Sequence, residues 1–250
     1  MDLRIVTWNC NGALRKKYEF LAAFNADLLV IQECENPAEA AHGGYKEWAK
    51  NYLWVGDNKH KGLEIFAKEE IVLEALDWED AYQGHQVKYF IPCQVDQSFQ
   101  LLAVWAHYNN SPNFGYIGQL WKYLQLNKQH LKKAVIAGDF NSNAIWDEWD
   151  RWWNYSDVEK ELKEVGIESL YHKFYDEIQG QESHPTFFMN RKVARAYHID
   201  YVFACQELTK SLLNVEVGKV DEWLRISDHL PLICHFNNLN HKFTAPCLVH

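Results

Sequence analysis

Short apolar runs recur along the whole chain, and they have the length of buried β-strands. Apolar runs of about four to eight residues bounded by turn residues are typical of strands inside a packed sheet. We expect seven strands: Leu3–Trp8, Leu28–Ile31, Leu63–Ala67, Leu101–Ala106, Val135–Ala137, His198–Ala204 and Leu230–His235. A chain with so many core strands must build its interior from sheets, so these runs constrain the fold more than any other feature.

Helical patterns lie between several of these runs. Apolar residues at helical spacing predict helices over Arg15–Asn25 and Tyr116–Lys133. A third helix is predicted over Ser156–Gly166, where Ser156 and Glu159 have the spacing of a capping box. Strands and helices therefore alternate, which favours sheets inside and helices outside.

The chain carries no Gly-, Ser- or Pro-rich linker, repeat or low-complexity tract that would divide it. Its 250 residues suffice for one large core. We therefore expect a single domain over 1–250, with a core of about 3–236 and a C-terminal tail over 237–250.

The net charge is acidic, −9 from 25 basic and 34 acidic residues. Such a chain does not attract nucleic acid over long distances, because phosphate binding rests on Lys and Arg. Local basic patches can nevertheless exist within a negative total. Two candidates are "LRKK" at Leu14–Lys17 and "NRKVAR" at Asn190–Arg195.

Cysteine usage and the start of the chain bear on location. None of the six Cys forms a CxxC pair, and the first apolar run begins at Leu3, so we expect no signal peptide. No apolar run approaches the length of a membrane span. We expect a soluble cytoplasmic protein with free, mostly buried thiols.

Polar side chains stand at the ends of the core strands. They are Asn9 and Asn11, Gln32 and Glu33, His107 with Asn109 and Asn110, Asp139 and Asn141, Asp200, and Asp228 with His229. Each group alone is typical of a turn. Together they supply the oxygen ligands that a hard divalent cation prefers, and such a cation can activate water against a phosphate. The set indicates metal-assisted hydrolysis of a phosphate ester.

An aromatic segment, "IWDEWDRWW", follows Asn141 closely. Its tryptophans fall at helical spacing: Trp146, Trp149, Trp152 and Trp153. Such a stripe more often packs into a core than binds a ligand. The alternative is a platform on which bases of a substrate stack, although the acidic residues of the segment disfavour a phosphate track beside it.

Six motifs occur in a fixed order along the chain: "WNCNG", "IQE", "GDFN", "HPTF", "HIDYVF" and "SDHLPL". Their order resembles that of the endonuclease/exonuclease/phosphatase superfamily, from Leu3 to about Phe236. The resemblance implies an α+β fold, a four-layer α/β/β/α sandwich in which two mixed β-sheets pack face to face with helices outside. It also implies hydrolysis of phosphoric esters with Mg²⁺, or Mn²⁺ in its place.

The resemblance further implies a metal site at the ends of the first strands. Glu33 would be the principal ligand, with Asn9 nearby and Asp228 as a second carboxylate. Asn11 stands where some members of the superfamily have Asp, and we expect it to contact the metal or the substrate.

The remaining catalytic roles carry over in the same way. Asp139 would orient or deprotonate the attacking water, and Asn141 would help to hold it. His229 would bond the scissile phosphate, with Asp200 fixing its tautomer, and His107 would face the phosphate. Either Asp139 or His229 could be the general base.

Substrate contacts are expected from residues beside these motifs: Asn110, Arg191, Arg195 and Tyr197. Tyr197 stands where AP endonucleases carry a Trp that lines their pocket for a flipped-out sugar. The expected protein is a monomeric nuclease acting on DNA or RNA, without a protein partner or a membrane. One alternative is a hydrolase of small-molecule or lipid phosphate esters. An inactive family member that serves as a scaffold is disfavoured, because Glu33, Asp139 and His229 are all retained.

Overall fold

The computed structural model of the protein describes residues 2–111 and 113–237. Within them the chain forms sixteen strands, in chain order: β1 Leu3–Asn9, β2 Leu28–Cys34, β3 Tyr52–Asn58, β4 Lys61–Ala67, β5 Leu73–Ala75, β6 Ala81–Tyr82, β7 His85–Gln86, β8 Phe90–Val95, β9 Phe99–Trp105, β10 Ala134–Asp139, β11 Ile167–Ser169, β12 Phe187–Phe188, β13 Ala196–Tyr197, β14 Asp200–Cys205, β15 Leu212–Val217 and β16 Leu232–Phe236. The α-helices are α1 Tyr18–Leu21, α2 Gly43–Trp48, α3 Ile117–Asn127, α4 Tyr155–Glu164, α5 Leu170–Tyr175, α6 Gln206–Thr209 and α7 Val220–Trp223.

Two six-stranded sheets contain most of the strands. The first has the order β15-β16-β1-β2-β4-β3 and the second the order β11-β14-β10-β9-β8-β5. Each sheet is mixed, because β1 runs parallel to β2 and β9 parallel to β10, while the other neighbours are antiparallel. Short hairpins, β6-β7 and β12-β13, flank the sheets.

The main core lies between the two sheets. Alternation along β1 sends Ile5 into this core and Val6 into a second apolar cluster on the other face. That second cluster includes Leu21 of α1, Tyr45 of α2 and Trp223 of α7. The helices α3 to α6 cover the outer face of the second sheet, with buried residues such as Leu120, Leu162, Leu170 and Leu208. The predicted four-layer sandwich is confirmed.

All seven predicted core strands form, with ends shifted by a few residues. The sequence analysis missed the edge strands β3 and β15, which are only partly buried and carry polar residues. It also missed β5, β8 and β11 of the second sheet, of which β8 is mostly buried. The predicted helix over Arg15–Asn25 is wrong as one element. It is two short 3₁₀ turns around α1, because Lys17 leaves helical geometry where its ammonium donates to the carbonyl of Cys10.

The tryptophan segment is not helical beyond a 3₁₀ turn at Ala144–Trp146. Side chains bond to the backbone instead: Asp147 accepts from the amide of Tyr155, and Asn154 accepts from that of Glu148. Such bonds compete with helix formation. As a result, 96% of Trp149 and 62% of Trp152 are exposed, and only Trp153 packs against the main core. The expected buried stripe is wrong.

The predicted start of α4 also needs correction, because Asn154 and Asp157 form its capping box in place of Ser156 and Glu159. The five cysteines within the described residues are free and buried, as expected. No helix of the described chain is long and apolar enough to cross a bilayer. The extent of the domain over 1–250 stays a prediction, since 238–250 of the expected tail lie outside the described residues.

Candidate active site

The polar strand ends meet at one edge of the sandwich. The strands β1 and β2 form the centre of the first sheet, and β9 and β10 the centre of the second, and β1 packs on β10. Asp139 ends β10 and lies directly opposite Asp200, which begins β14. Both carboxylates are fully buried. The register therefore creates a pair of acidic groups in the interior.

Asp139 joins the two sheets through hydrogen bonds. Its Oδ2 accepts from Nδ2 of Asn9 at 2.9 Å and from Nδ2 of Asn141 at 3.0 Å, and its Oδ1 accepts from the backbone N of Asn141 at 2.8 Å. The preceding Gly138 has φ +154°, and a Cβ there would lie 1.8 Å from the carbonyl oxygen of Val104. Only glycine permits this close approach of β9 and β10.

Asp200 holds the imidazole of His229. Its Oδ2 lies 2.9 Å from Nδ1 of His229, while its Oδ1 is buried without a hydrogen-bond partner among the described residues. The hydroxyl oxygen of Thr186 accepts from the amides of Ile199 and Asp200, each at 3.0 Å. The amide of Leu230 donates to the carbonyl of Thr186. Thr186 thus links the strand that carries Asp200 to the loop that carries His229.

A second set of bonds fixes this loop on β1. Ser227 donates from its hydroxyl to the carbonyl of Asn9 at 2.8 Å and accepts from the amide of His229 at 3.1 Å. The indole N–H of Trp8 donates to the carbonyl of His229 at 3.0 Å. The sequence analysis missed Thr186 and Ser227. Their only signal was their place inside "HPTF" and "SDHLPL".

Burial and charge move the pKa values of this group. Burial, together with the charge of Asp200, raises the pKa of Asp139 toward neutrality. Burial alone would lower the pKa of His229, but the charge of Asp200 and their hydrogen bond outweigh it and raise it to about 9. At neutral pH His229 is therefore an imidazolium, and Asp139 is the group that titrates near neutrality.

Glu33 stands at a bulge in β2, where the pairing with β4 shifts between Gln32 and Cys34. Its backbone adopts a left-handed φ of +62°. The bulge turns its carboxylate to the ammonium of Lys61, 2.9 Å away, with 19% of the Glu33 side chain exposed. The neighbouring Gln32 pairs with Asn9, so Glu33 lies just beyond the end of β1.

His107 follows β9 and is held by its neighbours. Its Nδ1 accepts from the amide of Asn109 at 3.0 Å, and its ring packs against Tyr89 and Trp105. Burial, and then the charge of Lys61, lowers the pKa of His107. His107 is therefore neutral at physiological pH, in contrast to His229.

The predicted substrate contacts make no hydrogen bond to Asp139 or Asp200 among the described residues. The amide of Asn11 donates to Oδ1 of Asn9, and Asn110 is exposed in a left-handed turn. Arg191 donates to the carbonyls of Arg225 and Ile226, which places it beside the segment that carries Asp228. The ring of Tyr197 packs on Trp146. The guanidinium of the exposed Arg195 contacts the sulfur of Met189.

The sequence profile of the Endonuclease/Exonuclease/phosphatase family matches residues 6–229. The chain belongs to this family. Its predicted membership is confirmed, and with it the prediction of an enzyme that hydrolyses phosphoric esters. No curated protein matches the sequence.

Several solved structures share the fold. A 3′-phosphatase, NExo, from Neisseria bound to a product DNA hairpin is 19% identical, with a TM-score of 0.71 over 94% of this chain and 100% of that one. A 3′-5′ exonuclease, NExo, from Neisseria meningitidis is 20% identical, with a TM-score of 0.69 over 94% and 99%. An AP endonuclease from Archaeoglobus fulgidus is 17% identical, with a TM-score of 0.71 over 94% and 100%.

Two places in this family member could hold a divalent cation. Ligand atoms of Asp139, Asp200 and His229 lie within 4.8 Å of one another. Asp139 and Asp200 are fully buried, however, and His229, which is 5% exposed, already has its Nδ1 bonded to Asp200. Mg²⁺ keeps several water ligands, so the partly exposed carboxylate of Glu33 suits it better. The ammonium of Lys61 lies against the carboxylate of Glu33, so a positive charge is stabilised at this position.

Proposed function

We propose that the protein hydrolyses phosphodiester bonds of nucleic acid with the help of a divalent cation, Mg²⁺ in the first instance. The observation that carries this proposal is the hydrogen-bonded set of Asn9, Asp139, Asp200 and His229 at the edge where the two sheets meet. Asn9 comes from the first sheet, Asp139 and Asp200 from the second, and His229 from the loop before β16. Their charges suit a reaction that moves a proton beside a phosphate.

His229 acts as a cation. Its raised pKa keeps it protonated at neutral pH, so the imidazolium neutralises charge that develops on the phosphate oxygens. Asp200 stabilises this charge and, by bonding Nδ1, orients the ring. A protonated His229 cannot accept a proton from water.

Asp139 is then the better general base of the two. A pKa near the working pH gives the most effective base, and burial beside Asp200 moves Asp139 in that direction. The amide groups of Asn9 and Asn141 hold its carboxylate in one orientation. Of the two bases that the sequence leaves open, these observations favour Asp139.

Glu33 would hold the cation, with Asp228 and Asn9 as the further ligands that the family resemblance implies. A bound divalent cation neutralises phosphate charge and lowers the pKa of water. In the absence of the cation, the ammonium of Lys61 neutralises Glu33.

Nucleic acid is the substrate class that the surroundings of the site support. Arg191 lies beside the loop of His229, and Lys17 lies within electrostatic range of both Arg191 and Asp228. These cations offer local contacts to a phosphate backbone within an acidic chain. The solved neighbours are described as DNA-processing enzymes, a 3′-phosphatase, an exonuclease and an AP endonuclease.

A substrate panel tests the proposal. It holds single- and double-stranded DNA, DNA with an abasic site, DNA with a 3′-phosphate, RNA, inositol phosphates and bis-p-nitrophenyl phosphate, each with Mg²⁺, with Mn²⁺ and with chelator. We expect cation-dependent hydrolysis of a nucleic acid, which the variant His229→Gln loses. Turnover of inositol phosphates alone would refute the substrate class, and full activity in chelator would refute the role of the cation.

A further inference from the structure

A polar cavity of about 440 Å³ lies beside the active site. It is lined by the β6-β7 hairpin, the described residues of the loop that follows β9, and the first turns of α3, and it is open on one side. Its walls offer hydrogen-bonding groups from Gln86, Ser111, Asn113 and Gln119. None of the described residues that line it is Asp or Glu, although the chain as a whole is acidic.

Lys122 of α3 supplies the one ammonium group among the described lining residues. Only 9% of this residue is exposed. Its Nζ lies 4.4 Å from the ring centroid of Phe114 and 6.0 Å from that of Tyr82. These rings attract the cation but accept none of its three N–H groups in a normal hydrogen bond.

No carboxylate pairs with Lys122 anywhere in the described ranges, 2–111 and 113–237. Burial lowers the pKa of its ammonium, which is the expected cost of removing a charge from water. Buried charges are normally paired, since an unpaired one is destabilising. A buried ammonium that faces a polar cavity without an acid is therefore suited to an anion from outside the chain.

The walls of the cavity are held in place and are connected to the active site. Nδ2 of Asn109 donates to the carbonyl of Gln86 and to Oε1 of Gln119, at 3.0 Å each. Nε2 of Gln119 donates to the carbonyl of Phe114 at 2.6 Å. The backbone amide of the same Asn109 donates to His107. One residue thus borders both the cavity and a histidine of the candidate active site.

We propose that the Lys122 cavity binds a phosphate group, held by the ammonium of Lys122 and by the amide and hydroxyl donors of its walls. This proposal extends the proposed function and rests on it in one respect. The phosphate that binds here belongs to the backbone of the substrate strand and neighbours the scissile phosphate. A phosphate of a small phosphorylated molecule has the same chemistry, and the two sources are separated by experiment.

The test compares three variants with the parent protein in chelator, where nucleic acid is not hydrolysed. Lys122→Met removes the charge and keeps the length of the side chain, and Lys122→Arg keeps the charge. Lys132→Met is the matched control, because it removes the same charge from an exposed position. Binding of a short single-stranded oligonucleotide is measured by fluorescence anisotropy over a range of salt, and binding of inorganic phosphate by calorimetry.

We expect Lys122→Met to weaken oligonucleotide binding about tenfold and to reduce the slope of log K against log salt by about one, as for the loss of one phosphate contact. Lys122→Arg should bind within about threefold of the parent, since it keeps a cation that bonds phosphate. Lys132→Met should change neither quantity.

The remaining outcomes are decisive as well. If Lys122→Met loses binding of inorganic phosphate but binds the oligonucleotide as the parent does, the phosphate comes from a small molecule and the site stands. If Lys122→Met binds both ligands as the parent does, or if Lys122→Arg loses as much as Lys122→Met, the proposal is overturned. Phosphate binding decides the matter even if the substrate panel reveals no nuclease activity.

Discussion

Asp139 and Asp200 face each other across the β10-β14 pair, with both carboxylates removed from solvent. Like charges directly opposite in a sheet are destabilising. The structure offsets this repulsion by placing His229 on Asp200 and by raising the pKa of Asp139. Both stability and activity should therefore follow the protonation of Asp139 and of His229.

The first prediction concerns the stability of the cation-free protein as pH rises. The folded protein holds the proton of His229 up to about pH 9, whereas its ordinary pKa is 6.5. The protonated imidazole contributes its full stabilisation below pH 6.5, and this contribution is lost as the pH rises through about 9. The free energy of unfolding should fall by roughly 3 kcal/mol across this window. The raised pKa of Asp139 acts in the same direction at lower pH.

Urea unfolding in chelator between about pH 6 and pH 9 measures this change. The variant His229→Gln has no imidazole to titrate, so its stability should vary much less over the same window. A parent protein whose stability is constant or rises with pH would contradict the assigned proton on His229.

The second prediction concerns the general base. Asp139→Asn cannot accept a proton from water, so kcat should fall by about a thousandfold with little change in KM. Asp77→Asn is the control, because it makes the same change at an exposed position. Steady-state kinetics on the best substrate of the panel measures both. A fall of less than about tenfold would assign the base to another group.

The third prediction concerns the cation. Glu33→Gln keeps the shape of the side chain but removes its charge, so the Mg²⁺ concentration for half-maximal activity should rise about tenfold or more. Glu69→Gln, which alters an exposed ion pair with Lys50, should leave it unchanged. Activity is titrated against Mg²⁺ for each protein. An unchanged Mg²⁺ dependence in Glu33→Gln would exclude Glu33 as a ligand.

The fourth prediction concerns Thr186 as a positioning residue. Thr186→Val keeps the volume but leaves two buried amides, those of Ile199 and Asp200, without their acceptor. We expect a loss of about 2 to 4 kcal/mol in the free energy of unfolding, and a lower kcat with KM nearly unchanged. Thr186→Ser retains the hydroxyl and should restore both quantities.

Kinetics of the two Thr186 variants are compared at a low temperature where both are folded, as circular dichroism verifies. A loss of stability in Thr186→Val with the kcat of the parent would show that Thr186 supports the fold alone. A Thr186→Ser variant as slow as Thr186→Val would show that the methyl group, and not the hydroxyl, is required.

The core strands were predictable because strands buried on both faces must be apolar along their whole length, and Val135–Ala137 and Leu28–Ile31 illustrate this. The edge strands β3 and β15 were not predicted, because only part of each is buried and their composition resembles that of loops. The mostly buried β8 was also missed, because Pro92 and Gln94 interrupt its apolar run. The expectation that the tryptophan segment forms a buried helical stripe was wrong for a related reason. Its periodicity is helical, but bonds from Asp147 and Asn154 to the backbone set another conformation.

Residue types at strand ends, in a fixed order along the chain, determined the family and the fold and predicted the groups of the candidate site. Only the tertiary structure decided which of these groups meet and how they are buried. Asn9 and Asp139 are 130 positions apart in the chain, and their hydrogen bond exists only because β1 packs on β10. The protonation states of these groups also depend on the tertiary structure, because a pKa depends on burial and neighbouring charge. The same imidazole is a cation at His229, beside Asp200, and neutral at His107, near Lys61.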